Sequence, residues 1–275
     1  MNKLTQAKRV QVIAALVEGN SVRATCRMTG VCKKAALKLL VDLGTACARY
    51  QDEHLRKLSC KRIQCDEIWS FCYAKEKNVP EEFKGKLGFG DIWTWVAIDA
   101  DTKLIASYLV GGRSAEYAKK FIDDLASRLT HRIQLTTDGH KAYLQAIEGA
   151  FGADVDYSML EKIYAAPPRE GQARYSPADC CGARKVKIQG NPDMAQISTS
   201  YVERQNLTMR MSMRRMTRLT NGFSKKIENQ AHAVALHFMH YNFCRIHQTL
   251  RVTPAMEAGI ADHVWSMEEL IGLLD

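Results

Sequence analysis

The chain has no run of about 18 consecutive apolar residues, so no transmembrane helix is expected. Its opening, Met1-Asn2-Lys3-Leu4-Thr5-Gln6-Ala7-Lys8, lacks the apolar stretch of a secretory signal, which points to a cytoplasmic protein. No CxxC pair occurs among the nine cysteines, which are scattered and odd in number; Cys180 and Cys181 are adjacent but have no spaced partner pair. A disulfide framework or structural zinc site is therefore not expected, and the cysteines read as buried thiols. The glycine-rich Gly85-Lys86-Leu87-Gly88-Phe89-Gly90 lacks the Gly-Lys-Ser/Thr ending of a phosphate-binding loop and falls between two strand-like runs. Proline is scarce, and four of the six (Pro167, Pro168, Pro177, Pro192) crowd into residues 166–197. Residues 252–275 contain no Lys or Arg at all.

That last absence is one end of an uneven charge distribution. The net charge is +9. Residues 1–64 carry +9, 65–197 carry −2, 198–251 carry +7 and 252–275 carry −5. Two basic blocks flanking a nearly neutral core suggest a polyanionic partner, most simply nucleic acid. Solvated helix surfaces are the plainer alternative.

The first basic block reads as three helices. Val10, Ile13, Leu16 and Val17 recur at helical spacing, Gly19-Asn20-Ser21 interrupts them, and Ser21 can cap a short helix to about Met28. Thr29-Gly30-Val31 makes a tight turn. A third helix over about 32–43 places Ala36, Leu39, Leu40 and Leu43 on one face, with Lys33, Lys34 and Lys38 outside it. This is a helix-turn-helix pattern, here assigned to residues 1–45, with a small helical bundle as the alternative. Residues 46–60 read as a helical connector.

Strand-like runs follow at about 62–72, 92–99, 103–110, 132–137 and 157–165. Asp99 and Asp101 read as turn residues between the second and third. A helix after Ser114 directs Tyr117, Phe121, Ile122, Leu125 and Leu129 inward, and a short one covers about 140–148. Residues 166–197 read as an insertion loop, with charge from Arg169, Arg174, Arg184, Lys185 and Lys187. Two helices then span about 197–219 and 224–242, and 256–275 forms an acidic tail. Three antiparallel strands followed by helix-linked strands predict an α/β fold: a ribonuclease H-like mixed five-stranded sheet flanked by helices, spanning 61–255.

Three carboxylates occupy unusual places. Asp66 lies inside the first strand, Asp138 ends the fourth, and Glu203 opens a basic helix. In such a fold the first two meet at one sheet edge and the helix delivers the third. Carboxylates so placed repel one another and take up protons unless a cation lies between them. Two Mg²⁺ or Mn²⁺ ions about 3.5–4 Å apart on such a site can cleave a phosphodiester with no protein nucleophile. Glu67 should point to the opposite face and is left out. Arg210 lies two helical turns beyond Glu203, suited to a phosphate, with Arg214 continuing that face and Arg204 beside it. Val202, Met209, Met213 and Met216 form an apolar stripe that reads as core. His140 can contact DNA or a metal-bound water, or serve a core or capping role.

Three segments resemble DDE-type transposases of bacterial insertion sequences: Cys65-Asp66-Glu67-Ile68-Trp69-Ser70-Phe71, Thr137-Asp138-Gly139-His140-Lys141-Ala142-Tyr143, and Val202-Glu203-Arg204-Gln205-Asn206 with Arg210. The stretch Tyr241-Asn242-Phe243-Cys244-Arg245-Ile246-His247-Gln248-Thr249-Leu250, then Thr253-Pro254-Ala255, is similar to the end of integrase cores. The Asp-Glu-Ile-Trp-Ser block is most similar to the insertion sequence one type. The resemblance implies binding of terminal inverted repeats by a homo-oligomer and metal-dependent release of a 3′ hydroxyl. It further implies joining of that hydroxyl to target DNA, and a bacterial, nucleoid-associated location. Two features depart from the pattern. The 64 residues between Asp138 and Glu203 exceed the spacing in many relatives, and the zinc-binding N-terminus of some members has no cysteine counterpart here. A ribonuclease H-like nuclease or resolvase that does not join strands, and a DNA-binding regulator using residues 1–60, are the competing readings.

Overall fold

The computed structural model describes residues 4–164 and 180–275. Its first helices form where polar residues cap apolar repeats. Thr5 accepts the Lys8 N–H at the start of α1 (Gln6–Val17), and Ser21 accepts the Ala24 N–H at the start of α2 (Val22–Thr29). Gly30, at φ +72°, closes α2 in the left-handed conformation that glycine takes without a Cβ penalty. Helix α3 (Lys33–His54) runs through position 45, so the expected boundary between a DNA-reading unit and a connector falls inside one helix.

Three strands follow, β1 (Arg62–Cys72), β2 (Gly90–Asp99) and β3 (Ile105–Gly111), paired antiparallel. Asp99 organises the β2–β3 turn: its carboxylate accepts from the N–H groups of Asp101 and Thr102 and from the Thr102 hydroxyl. Then come α4 (Ala115–Arg128), β4 (Ile133–Asp138), α5 (Ala142–Phe151) and β5 (Val155–Tyr164). Strand β4 lies parallel to both β1 and β5, as helix-mediated crossovers allow. The order β3-β2-β1-β4-β5 with these directions is the ribonuclease H-like arrangement.

A sixth strand corrects the expected count. β6 (Cys180–Gln189) pairs antiparallel with β5 inside the segment read as a loop. Its residues are mostly exposed because it is an edge strand beyond the covered part of the sheet. Strand patterning therefore had little apolar contrast to show, and Arg184, Lys185 and Lys187 supply the charge that discourages edge-to-edge association. The remainder of the 166–197 call, including Pro167, Pro168, Arg169, Arg174 and Pro177, falls outside the described residues up to position 179.

After β6 come α6 (Ser200–Ser212), α7 (Ile227–Met239), α8 (Pro254–Glu257) and α9 (Met267–Gly272). Helix α6 is shorter than expected: Met213 is extended (φ −127°, ψ 104°), and Arg214–Met216 form a separate 3-10 turn. The acidic 256–275 segment is folded onto the body rather than free. Leu270 and Ile271 are buried, and the Trp265 ring meets Tyr50 and Phe243 at 5.0 and 5.3 Å.

Helices cover both faces of the sheet. On one, Trp95 packs against Phe121 of α4 and Tyr143 of α5. On the other, Tyr108 packs against Phe238 of α7, and α6 lies over β1. Helix α3 forms a further layer on α7; Gln51 donates to the carbonyls of Cys47 and Ala235. The buried Arg128 of α4 reaches the end of α3, donating to the Leu55 carbonyl and pairing with Asp52. The N-terminal helices thus share one continuous core with the sheet.

At Gly44 α3 approaches α7 so closely that a Cβ would sit 2.5 Å from the His232 carbonyl oxygen. Helix propensity favours replacing this glycine, but a backbone clash outweighs it. Gly44→Val should cost about 1–3 kcal/mol. Gly149→Ala in α5, where nothing lies within 4 Å, should gain about 0.5–1 kcal/mol. Denaturant midpoints of the two variants check both signs.

Candidate active site

Residues two apart on a strand share a face. Gln64 and Asp66 therefore both look toward α6, and each holds it. Gln64 Oε1 accepts the N–H groups of Tyr201 (2.9 Å) and Val202 (3.2 Å), two of the orphan donors in the helix's first turn. Asn206 Nδ2 donates to Asp66 Oδ2 at 2.9 Å, while Asp66 Oδ1 accepts the Glu67 N–H at 2.8 Å. Val202, Gln205, Asn206 and Met209 are buried, which fixes the roll of α6. Glu203 and Arg210, seven residues apart, then line the same cleft as Asp66, a space of about 280 Å³ also bordered by Arg218. The expected core stripe is present: Val202, Met209, Met213 and Met216 are all buried.

Asp138 comes alongside Asp66 because β1 and β4 are parallel with Cys65 opposite Thr137. Its Oδ1 accepts the His140 N–H at 3.0 Å, an Asx turn that ends the strand. The His140 ring is half-buried beside Trp95 and Tyr143, its Nε2 without a partner; burial and then Arg113 lower its pKa.

Glu67 lies on the expected face but close to the other acids. Its side chain does lie on the α4/α5 face, with no exposed surface. Yet a ligand oxygen from each of Asp66, Glu67 and Asp138 falls within 4.8 Å of the others. β4 ends at Asp138, so no further ladder separates that carboxylate from either face of β1. Face alternation alone did not allow for an acid at a strand end. Arg113 pairs with Glu67 at 3.1 Å.

Glu203 is held differently. Its Oε1 pairs with Lys162 Nζ of β5 at 2.9 Å and accepts the Thr199 hydroxyl. Burial acts to lower the Lys162 pKa, but its pairing with Glu203 outweighs that and raises it. Lys162, as the partner of Glu203, is a residue that sequence reasoning missed. Its only signal was a lysine in the exposed half of a strand next to the acids. Gln64 and Asn206 were legible in principle, two residues before Asp66 and three after Glu203.

The acids bear the mark of burial first and of mutual repulsion second. Burial, then Asp138, raises Asp66 to about 6, with Glu203 adding to it. Burial, then Asp138, raises Glu67 to about 7, while the Tyr143 hydroxyl and Arg113 pull back. Carboxylates that retain protons near neutrality are relieved by a divalent cation. The donor set fits such an ion: the cluster offers only hard oxygens, without the histidine or cysteine that favours zinc.

The basic residues separate. Lys33, Lys34 and Lys38 are exposed at the start of α3, and Lys38 pairs with Asp42 at 2.5 Å. Arg204 is exposed on α6. Arg210 faces the cleft but donates to the carbonyls of Met216 (2.7 Å) and Trp69 (3.1 Å). Arg214 does not continue the Arg210 face, because α6 ends before it.

No family model matches the chain, and no curated protein matches it. Among solved structures, it is similar to a crystal structure of a pre-cleavage Mos1 transpososome, at 11% identity over 57% of this chain and a TM-score of 0.23. That match spans 59% of the Mos1 chain, less than two thirds of its length. It is also similar to a cryo-EM structure of the piggyBac transposase synaptic complex with hairpin DNA. There the identity is 11% over 98% of this chain and 69% of that one, with a TM-score of 0.35. Likenesses this loose carry no information about the site's chemistry.

Two outcomes follow from the electrostatics. Asp66 and Glu67 hold protons in the fold that the unfolded chain releases at its ordinary values of 3.8 and 4.5. The native state therefore binds more protons up to about pH 7, and metal-free stability should fall as pH rises from about 4 to 7, then level. Added Mn²⁺ should raise the melting temperature more at the top of that window than at the bottom. Thermal melts across buffers, with and without Mn²⁺, check this. Lys162→Met frees Glu203 from its ammonium partner and should tighten Mn²⁺ binding several-fold, measured by calorimetry.

Proposed function

We propose that the chain is a DDE-type DNA transposase, with Asp66, Asp138 and Glu203 as its metal-binding catalytic residues. The observation that carries this reading is Asp66, Glu203 and Arg210 lining one cleft, with Asp138 beside Asp66 across the parallel β1–β4 pair. When bound, two Mg²⁺ or Mn²⁺ ions would polarise an attacking oxygen and stabilise the leaving one. The chain's own residues prepare for that. Asn206 orients the Asp66 carboxylate, and Gln64 anchors the helix that carries Glu203. The carbonyls of Met216 and Trp69 hold the Arg210 guanidinium beside the cleft, leaving its other N–H groups for a phosphate. Glu67 is either a further ligand or a buried counter-charge to Arg113.

Double-stranded DNA is the proposed partner: terminal inverted repeats first, then target DNA, held by a homo-oligomer on paired ends. Lys33, Lys34 and Lys38 on α3 would contact the repeats, and Arg204, Arg210 and Arg214 the strand near the acids. Among the described residues no helix is long and apolar enough to cross a membrane. A nucleoid-associated location is part of this same reading.

The test uses purified protein, Mg²⁺ and DNA carrying the sequences that flank the coding region. Cleavage followed by joining supports transposition, whereas cleavage alone indicates a nuclease and binding alone a regulator. Asp66→Asn should reduce both chemical steps by at least about 10³-fold, the order expected when electrostatic stabilisation of the transition state is lost. It should leave DNA binding intact. Strand joining that survives this substitution would refute the triad.

A further inference from the structure

The end of β1 and the segment after α6 enclose a second groove, of about 550 Å³, beside the acidic cleft; Arg218 borders both. Phe71, Tyr73 and Phe223 line it, and the Phe71 and Phe223 rings pack directly against each other with centres 4.6 Å apart. Lys75, Arg214 and Arg218 also line it, and among the described residues no carboxylate does. Lys225 Nζ sits 3.4 Å from the Phe223 ring centre.

The two segments are joined through the backbone. Tyr73 N–H donates to the Ser224 carbonyl at 2.9 Å, extending a bridge between Cys72 and Ser224. Tyr73 itself has φ +65°, a left-handed conformation costly for a bulky side chain, and the residue remains 39% exposed. At the rim, Leu219 is 85% exposed, the most exposed large apolar side chain among the described residues.

Aromatic faces, three lining cations and no acid suit a planar ring that carries phosphate. The volume is within the range of small-ligand sites, roughly 300–1,000 Å³. A base inside a duplex is already stacked on both sides and cannot offer its face to Phe223 or Tyr73. The geometry points to a binding site for an unpaired stretch of DNA strand next to the acidic cleft. Its bases stack on Phe223 and Tyr73, its phosphates meet Arg214 and Arg218, and Leu219 wedges into the gap left in the duplex. This deepens the proposed function and rests on it, because the strand must enter a DNA-cleaving cleft for the groove to matter.

The experiment compares the full-length protein's affinity for a short, fully paired duplex and for the same duplex with a few unpaired nucleotides at one end, in Ca²⁺ to prevent cleavage. Unpaired nucleotides should tighten binding about tenfold, the scale of one base stacking on an aromatic side chain. Phe223→Ala should abolish that preference while leaving affinity for the paired duplex within about twofold; Phe223→Trp should restore it, and Leu219→Ala should weaken it. Equal binding of the two DNAs by the wild type, or a preference that survives both alanine variants, overturns the groove assignment and leaves the proposed function standing. Failure to bind either DNA overturns both.

Discussion

Repulsion between carboxylates at the junction of β1 and β4 is the constraint around which this molecule is arranged. The parallel pairing puts Asp138 next to Asp66, and the strand end admits Glu67 to the same small volume. Burial and neighbouring charge hold both Asp66 and Glu67 above ordinary carboxylate values. Such a cluster is a standing cost to the fold, offset in part by neighbouring donors. Arg113 pairs with Glu67, Asn206 donates to Asp66, and Lys162 compensates Glu203. None of these removes the repulsion between Asp66 and Asp138. A divalent cation would.

Helix α6, which carries Glu203, is closely tied to β1. On the proposed function Glu203, which lies outside the cluster of Asp66, Glu67 and Asp138, would have to be held within an ångström or so to share a cation with the strand carboxylates. Gln64 fixes the start of α6, Asn206 its middle, and Arg210 its end through the Trp69 carbonyl. Three contacts along one helix to one strand leave little freedom to slide or roll. Beyond Ser212 the chain turns away and, with the end of β1, forms the aromatic groove, which meets the cleft at Arg218.

Much of this was legible from local pattern. The limits of β1, the capping of α2 by Ser21, the turn at Asp99 and the buried Val202–Met209–Met213–Met216 stripe all follow from short-range periodicity and capping chemistry. The misses share a cause. β6 is exposed on an uncovered edge, so its residues carried almost no burial signal. The expected third helix and helical connector form one element, α3, which lies against α7 at Gly44, a contact invisible from within the helix. The acidic C-terminal segment looked like a tail because its five acidic residues meet no Lys or Arg locally, while its apolar residues, Leu270 and Ile271 among them, find their partners in distant helices.

Sequence by itself determined the α/β order, the placement of Asp66 and Asp138 on strands and Glu203 on a helix, and the basic character of the flanking blocks. Those properties depend on residues within a turn or a strand of one another. Only the tertiary structure decided which acids meet, that Glu67 joins Asp66 and Asp138, that Lys162 pairs with Glu203, and that aromatic residues 152 positions apart (Phe71 and Phe223) pack together in the lining of a groove. These outcomes depend on sheet register and helix docking, which bring together residues far apart in the chain and so leave no trace in local periodicity.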